Sequence, residues 1–578
     1  MKNYLRSIFT LLITAIMVGC QEYTPLETYI EADDPVALTA EDEATWNAVK
    51  GNFNAAWGDA FCRYSRSLVP QTAKEQTLKI TLWRGEKGQA QALVWTPKGL
   101  SGVKCSIADF KSKEATLPAS IAKTFFVRYT MADQNLPDKQ KEVLMADMLD
   151  NIMRYEIPAK TTRPVWMTID IPEDATPGIY TSTLTISHNG MGKRHLPIEI
   201  EVVKHILPDA SEWSYHLDLW QHPTAVARAE GLELWSDAHF EALKRQMTML
   251  RDAGQKVITA TLNKDPWNHQ CYDAYEDMIK WTLRKDGTWS YDYTIFDRWV
   301  EMMLSIGINK MINCYSMVPW NCELHYMDEA KGEMVTVKAE PNTPIFPKIW
   351  KPFLTDFKRH LSEKGWLTIT NIAMDERSPA QMDAAANLLQ ECAPEMGFAL
   401  ADNHNSYKKY TMMKDVCAAI RRQRVDHEDI SMRRAKGQTT TFYVCCGPDF
   451  PNTFTWSQPF EAEMLGWLNI TFDYDGMLRW AYNSWPANPF MDSRFGHWPA
   501  GDTYLTYPFG FSSLRFEKLI DGIENAEKVR RLRAAGIDTS EIEQILEKIR
   551  NTNFLDHKQP WCDIIKQAGE TLDAASRK

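Results

Sequence analysis

Several features that would mark a function are missing from this sequence. It carries no excess of positive charge, since 65 Lys and Arg stand against 76 Asp and Glu for a formal charge of −11. Phosphate backbones need a basic surface, and no basic stripe occurs, so composition argues against a nucleic-acid partner. There is no CxxC pair, no HExxH and no clustered Cys/His pattern, which removes the usual spacings of zinc sites. No glycine-rich loop follows a strand to cradle a dinucleotide or a nucleotide phosphate. No low-complexity tract occurs, and past the N-terminus no apolar run is long enough to span a bilayer. What is plentiful is aromatic, with 21 Trp and 21 Tyr. Many such rings build cores, but their faces are also what sugar rings stack on, so the surplus points toward a carbohydrate ligand.

The N-terminal apolar run, residues 8–18, follows Lys2 and Arg6 and is too short to cross a membrane. It ends Met17-Val18-Gly19-Cys20, which resembles a bacterial lipoprotein signal: residues 1–19 are removed and Cys20 is acylated. The expectation is an exported protein held to a membrane surface, periplasmic or outer, by its lipid anchor only. The bland alternative is an ordinary secretory signal with an incidental cysteine. Residues 20–45 are polar and acidic and read as a tether. The ten remaining cysteines are scattered and read as buried thiols, with no disulfide framework.

At 578 residues more than one domain is expected. Residues 46–208 alternate as strands: 77–83 (TLKITLW), 89–95, 179–186 (IYTSTLTI) and 196–203 (LPIEIEVV). Asn189-Gly190 is a hairpin signal between the last two. This predicts an antiparallel β-sandwich. From 209 to 534 strands and long helical segments alternate. Strands are predicted at 213–220, 257–262, 309–315, 366–374, 397–402, 439–446 and 477–482, and helices at 237–253, 296–304 and 350–361. That alternation predicts a (β/α)8 barrel, with a doubly wound open sheet as the runner-up. Residues 535–578 are charged and helical and read as a C-terminal appendage.

The chemistry concentrates in WLTITNIAMDERSP, residues 366–379. An apolar strand ends in Asp375 and Glu376, and Ser378-Pro379 then opens a helix with a cap and a first-turn proline. A barrel presents catalytic groups at this point, the C-terminal end of a strand. Other polar and aromatic residues at strand ends are candidate sugar contacts by position: His216, Tyr315, Asn403, His404, Tyr443, Trp480, Tyr482, Asn483 and Asp502, with Trp220, Trp320 and Trp485 nearby. Any one of them could be core. Together they describe a neutral polyhydroxylated ligand, with no metal.

Most glycosidases place two carboxyl groups on opposite sides of the scissile bond. Sequence neighbours approach from one side, which suits another division of labour. Glu376 would protonate the leaving oxygen, while Asp375 would accept the N–H of a 2-acetamido group whose carbonyl oxygen is the nucleophile. Those roles call for a raised pKa at Glu376 and a low one at Asp375. The alternatives are a non-catalytic glycan-binding lipoprotein, or a glycosidase with a protein nucleophile such as Asp475 or Asp502.

The motifs LDLWQHP (217–223), CYSMVPW (314–320), IAMDERSP (372–379), FDYDGMLRWAYNSW (472–485), GDTYLTYP (501–508) and SSLRFEKLIDGIENAEKVRRLR (512–533) resemble glycoside hydrolase family 123. The members are exo-acting β-N-acetylgalactosaminidases. The resemblance implies Asp375 as polariser and Glu376 as acid/base, net retention, terminal β-GalNAc as substrate and no metal or other cofactor. It also implies a β-sandwich ahead of a (β/α)8 barrel.

Overall fold

A computed structural model describes residues 31–72, 76–134, 141–190, 192–421 and 424–578. The proposed signal peptide and Cys20 lie outside the described residues; the tether expected over 20–45 is corrected in its described part, where Glu31 is buried against Arg163 at 2.6 Å and helix Ala40–Ala48 begins.

The first layers are two sheets packed face to face. One has five antiparallel strands in the order Asn54–Gly58, Lys87–Thr96, Thr161–Asp170, Ala122–Gln134, Lys141–Asp150. The other runs Leu78–Arg84, Lys193–Ile206, Gly178–Ser187, Leu100–Ile107, Tyr155–Ile157, with two short strands at its side. Alternate residues such as Ile198, Ile200 and Val202 turn inward to meet Val94, Val165 and Met167 in a common core, the arrangement of a β-sandwich. One expectation needs correcting: Leu78–Arg84 pairs with Lys193–Ile206 in parallel, so the sandwich is mixed.

Eight parallel strands follow, each buried along most of its length: β1 (His216–Leu219), β2 (Val257–Thr261), β3 (Met311–Tyr315), β4 (Thr370–Asp375), β5 (Gly397–Asp402), β6 (Met413–Ala419), β7 (Thr439–Tyr443) and β8 (Gly476–Arg479). They are hydrogen-bonded in the order β1-β8-β7-β6-β5-β4-β3-β2. Between β1 and β2 the backbones meet at a single bridge, Leu217 with Gln255. Two side-chain amides complete that seam. Gln221 Oε1 accepts from the Thr259 N–H (2.8 Å), and Gln255 Oε1 accepts from the Leu219 N–H (2.9 Å). Gln255 also donates to the Val257 carbonyl at 2.7 Å. A primary amide carries the donor and acceptor of a peptide group, so it substitutes for missing ladder bonds in a dry interior.

The sequence pattern located seven of the eight strands. It passed over β6 (MKDVCAA), whose Lys414 and Asp415 interrupt the apolar run. Residues 367–369 form a 3-10 turn ahead of β4, which is shorter than the predicted strand. A separate four-stranded sheet was also unforeseen: Lys280–Leu283, Trp289–Asp292, Glu323–Asp328 and Glu333–Lys338. It comes from the segments around β3 and supports the loop bearing Trp320.

The last barrel helices, Pro459–Thr471 and Leu514–Ala534, cross where Gly466 meets Gly522; a Cβ on Gly466 would lie 1.9 Å from the Gly522 carbonyl oxygen. Glycine is required there by the approach itself. Helices Ser540–Asn551 and Trp561–Ser576 complete the described chain. Ser576 Oγ accepts from the Trp83 ring N–H (2.8 Å), returning the C-terminus to the sandwich. Among the described residues no helix is long and apolar enough to cross a membrane.

Sandwich and barrel are joined through buried charge. Asp147, fully buried on Lys141–Asp150, accepts from Arg515 at 3.0 to 3.1 Å, from Arg63 at 3.2 Å and from the Tyr507 hydroxyl at 2.8 Å. Arg515 also donates to the carbonyls of Thr453, Gly501 and Tyr504. Removing the carboxylate alone strands two buried guanidinium groups, which costs about 3 kcal/mol. Asp147→Ala is therefore expected to lower unfolding stability by about that amount, measured by chemical denaturation. A loss below about 1 kcal/mol would show that the carbonyls satisfy Arg515 unaided.

Candidate active site

β4 is apolar from Ile372 to Met374 and reaches the barrel mouth at Asp375. Side chains on a strand alternate between faces, so the next residue would ordinarily point away. Here the strand breaks. Glu376 has φ of 47°, in the left-handed region, and its N–H donates to the Ala401 carbonyl of β5 at 2.9 Å. The turn brings Asp375 and Glu376 to one cavity. Ser378 then caps helix Pro379–Cys392, as the sequence predicted, and the structure adds a reciprocal bond with Gln381.

The cavity is about 230 Å³, the scale of one sugar ring, and it opens at the C-terminal ends of the strands. Asp375 and Glu376 share it with Trp220 beyond β1, Ala419 and Arg421 at the end of β6, and Tyr443 on β7. Leu478 on β8 and Trp480 just beyond it line the cavity, with Trp320, Gln270, Trp498, Cys445 and Cys446 from the loops. Its floor is aromatic: Trp220 lies 4.6 Å from Tyr315 and 5.0 Å from Trp267, ring centre to ring centre. On one wall Trp480 and Trp498 stand 5.3 Å apart. These rings suit the apolar face of a sugar.

Asp375 sits among these rings. Its Oδ2 accepts from the Trp320 ring N–H at 3.0 Å, and Arg377 lies 4.1 Å over the same ring while donating to the Asp375 carbonyl at 2.7 Å. Burial pushes the Asp375 carboxyl up to about 6, with the neighbouring Glu376 adding to it; hydrogen bonds from Trp320 and Trp267 and the charge of Arg377 oppose the rise. The low pKa expected from the polariser role is therefore corrected: desolvation outweighs the donors. Glu376 accepts a short hydrogen bond from the Tyr443 hydroxyl. Among the described residues the cavity lining contains no third carboxylate, and no group of three or more His, Cys, Asp and Glu is placed to hold a metal ion.

Of the residues proposed by position, Tyr443 and Trp480 line the cavity, and Tyr315 lies beneath it in the floor. The other six are not brought there. His216 begins β1 at the far end of the barrel, and its N–H donates to the Asp475 carbonyl (2.9 Å). Burial lowers its imidazole to about 4. Asn403 and His404 belong to the turn after β5, where the His404 N–H is held by Asp402 at 2.9 Å. Tyr482 is buried and donates to the Gln246 carbonyl (3.0 Å). Asn483 clamps the backbone of His222 with both ends of its amide. Asp502 is fully buried against Arg479 at 2.8 Å. A slip of one residue turns a strand side chain from mouth to core, and sequence pattern fixes strand ends no better than that.

Trp267, Gln270, Arg421 and Trp498 were not foreseen. The first two and Trp498 sit in loops without periodicity, and Arg421 follows the strand whose pattern was missed. A lone Trp in a polar loop, as in RFGHWPAG, is the signal that was available.

Two family models match the chain. Residues 220–532 match the glycoside hydrolase 123 catalytic domain, and residues 57–188 the glycoside hydrolase 123 N-terminal domain. Among solved structures, a family 123 glycoside hydrolase from Clostridium perfringens, studied for glycolipid glycan hydrolysis, aligns with a TM-score of 0.83 at 25% identity. That alignment covers 91% of this chain and 97% of the other. A GH5 xyloglucanase from Bacteroides ovatus aligns at a TM-score of 0.28 and 10% identity, over 81% and 100% of the two chains, which is too distant to bear on function. No curated protein matches.

If the indole N–H is what opposes desolvation at Asp375, Trp320→Phe should raise that carboxyl by about one unit, because a hydrogen bond to a charged group contributes about 1.5 kcal/mol. NMR titration of carboxyl-labelled aspartate would read the shift; an unchanged midpoint would assign the restraint to Trp267 and Arg377 instead.

Proposed function

The chain belongs to glycoside hydrolase family 123 and is a glycosidase, and from that premise we propose that it is a retaining exo-β-N-acetylgalactosaminidase releasing terminal β-GalNAc from glycans or glycolipids. The observation that carries the reading is the acid inventory of the cavity. Asp375 and Glu376 are neighbours on one strand end, and among the described residues no other carboxylate lines the pocket. The two candidate protein nucleophiles are engaged elsewhere. Asp475 binds Arg434 (2.7 Å) and the Thr440 N–H (2.7 Å), while Asp502 is buried against Arg479. A nucleophile from the substrate removes the need for one.

In this reading Glu376 gives its proton to the glycosidic oxygen as the bond to the aglycone breaks. The acetamido carbonyl oxygen attacks the anomeric carbon from the opposite face and closes an oxazoline-type ring. Asp375 accepts the amide N–H and balances the positive charge that develops on the ring. Glu376, now a carboxylate, takes a proton from water, which opens the ring from the first face. Two inversions give net retention. Tyr443 holds Glu376 through both proton transfers. An amide N–H arriving at Asp375 adds a donor to the Trp320 and Trp267 ring N–H groups, so binding and charge stabilisation reinforce each other. The small cavity favours a terminal residue, and the wall of Trp480 and Trp498 offers it a stacking face. The glycolipid substrate class comes from the Clostridium perfringens relative. Export as a lipoprotein on Cys20 belongs to the same proposal; labelling with radioactive palmitate, lost in Cys20→Ser, would test it.

Paired 4-nitrophenyl β-GalNAc and β-GlcNAc glycosides test the activity. Glu376→Gln and Asp375→Asn should each lower kcat/KM on the GalNAc substrate by about 100- to 10,000-fold, and a thiazoline mimic of the cyclised intermediate should inhibit strongly. Near-normal turnover in either variant rejects the mechanism, and sugar binding without turnover in the unaltered chain makes it a binding protein.

The pH profile follows from Asp375. The working form is ionised, and its pKa is raised to about 6. Thus kcat/KM should fall about tenfold per unit as pH drops below about 6. The residual activity of Asp375→Asn should lack that limb. An acid limb near pH 4 in the unaltered enzyme would remove Asp375 from the polarising role.

A further inference from the structure

Cys445 and Cys446 are sequence neighbours on the loop after β7, and both line the cavity with Glu376. Both are free thiols, Cys446 exposed, and their sulfurs lie 3.8 Å apart. Adjacent side chains on an extended chain diverge, so the convergence reflects how the loop is held. Asn452 Nδ2 donates to the Cys445 carbonyl at 2.9 Å and to the Pro448 carbonyl at 2.7 Å, while Arg479 donates to Asn452 Oδ1 at 2.9 Å. The Cys445 N–H closes on the Gly447 carbonyl at 3.3 Å. Asn452 and Arg479 are fully buried, so the two sulfurs are presented by a fixed frame.

The separation has a chemical meaning. Two thiolates bound at about 2.3 Å to one tetrahedral ion stand about 3.8 Å apart. A disulfide would need the sulfurs near 2.05 Å, and it joins residues whose Cα atoms lie about 4.4 Å or more apart, whereas neighbours are held at about 3.8 Å. The spacing suits a shared ion better than a sulfur–sulfur bond.

We propose that Cys445 and Cys446 form a chelating site for a soft divalent cation of the Zn2+ or Cd2+ type, placed so that the bound ion closes the sugar pocket. Binding replaces two S–H bonds with two sulfur–metal bonds and releases two protons to solvent. The protein supplies only two ligands, and water completes the shell. Such an ion exchanges readily and acts as a reversible inhibitor; a structural zinc would have four protein ligands. The ion would sit in the field of Glu376, whose carboxylate interacts with Cys446, and it would occupy the space the leaving group needs. Sulfur ligands select such ions over Mg2+ and Ca2+.

Reduced, full-length enzyme titrated with Cd2+ tests the site. Expected are one equivalent of sulfur-to-metal charge-transfer absorption, two protons released per ion, and loss of hydrolysis reversed by EDTA. Cys445→Ser and Cys446→Ser, each compared with its own metal-free rate, should need about 100-fold more Cd2+ for half-inhibition, because the chelate is broken. Inhibition at the same concentration in both variants would place the ion on Asp375 and Glu376 and overturn the proposal, as would absence of the absorption band. Should the variants fail to fold, iodoacetamide mapping of the unaltered chain decides: Cd2+ protects Cys445 and Cys446 if the site exists, and both are alkylated if it does not. The inhibition readout rests on the glycosidase reading, while absorption, proton release and protection do not.

Discussion

A pleated strand sends consecutive side chains to opposite faces, and this site needs two consecutive side chains on the same one. The left-handed backbone at Glu376 resolves that conflict. Such a conformation costs a residue with a Cβ about 1 to 2 kcal/mol, and the surroundings hold it in place. The Glu376 N–H is tied to Ala401 on the next strand, Arg377 folds back onto the Asp375 carbonyl, and Ser378 starts a capped helix two residues on. Strand, kink and cap together leave the pair one orientation. Without the kink one carboxyl would reach the sugar, and the other would be buried between barrel and helix with no partner.

The same few residues decide the electrostatics. An aspartate over a floor of Trp220, Trp267 and Tyr315 has little water to stabilise its charge, so its proton is held more tightly than usual. The indole N–H groups of Trp320 and Trp267 and the Arg377 guanidinium limit the shift, leaving a carboxylate that is ionised near neutral pH. That state suits the amide-accepting role proposed for it. Glu376 meets a phenol hydroxyl in place of an indole floor. Adjacent in sequence, the two acids face different chemistry because the barrel delivers different strands to each: β3 and its loop to Asp375, β7 to Glu376.

Much of this could be read in the sequence because periodicity and capping are local. The hairpin at Asn189-Gly190, the strand ending at Asp375 and the Ser378-Pro379 cap each follow from a few adjacent residues. What escaped depends on partners far away in the chain. Asn483 is polar and follows a strand, as a sugar ligand should, yet its amide is matched to the backbone of His222, 261 positions away. Asp502 looked like a free loop acid until Arg479 was set against it. Conversely, Trp498 reaches the cavity only because its ring N–H is anchored to the Gln270 carbonyl at 3.0 Å. No pattern within either loop encodes that meeting. The family motifs identified the acid pair through residues around it, and they carried no information on which flanking aromatics turn inward.

Among the described residues the sandwich contributes none to the cavity lining, yet its buried charge bears on it. Asp147 fixes Arg515, and Arg515 gathers the carbonyls of Thr453, Gly501 and Tyr504, three points on the loops that follow β7 and β8. One residue from two of those points, Arg479 joins Asn452 to Asp502. Asn452 in turn holds the Cys445 loop, and Asp502 lies within electrostatic reach of the Trp480 ring N–H. A continuous polar chain therefore runs from a sandwich strand to one wall of the sugar pocket, every charged member of it buried. Long loops at a barrel mouth are otherwise its most mobile part, and a site that must hold a ring against two neighbouring acids tolerates little play. The barrel supplies the acids and the sandwich stiffens the wall opposite them, which gives a physical reason for the two domains to be built as one body.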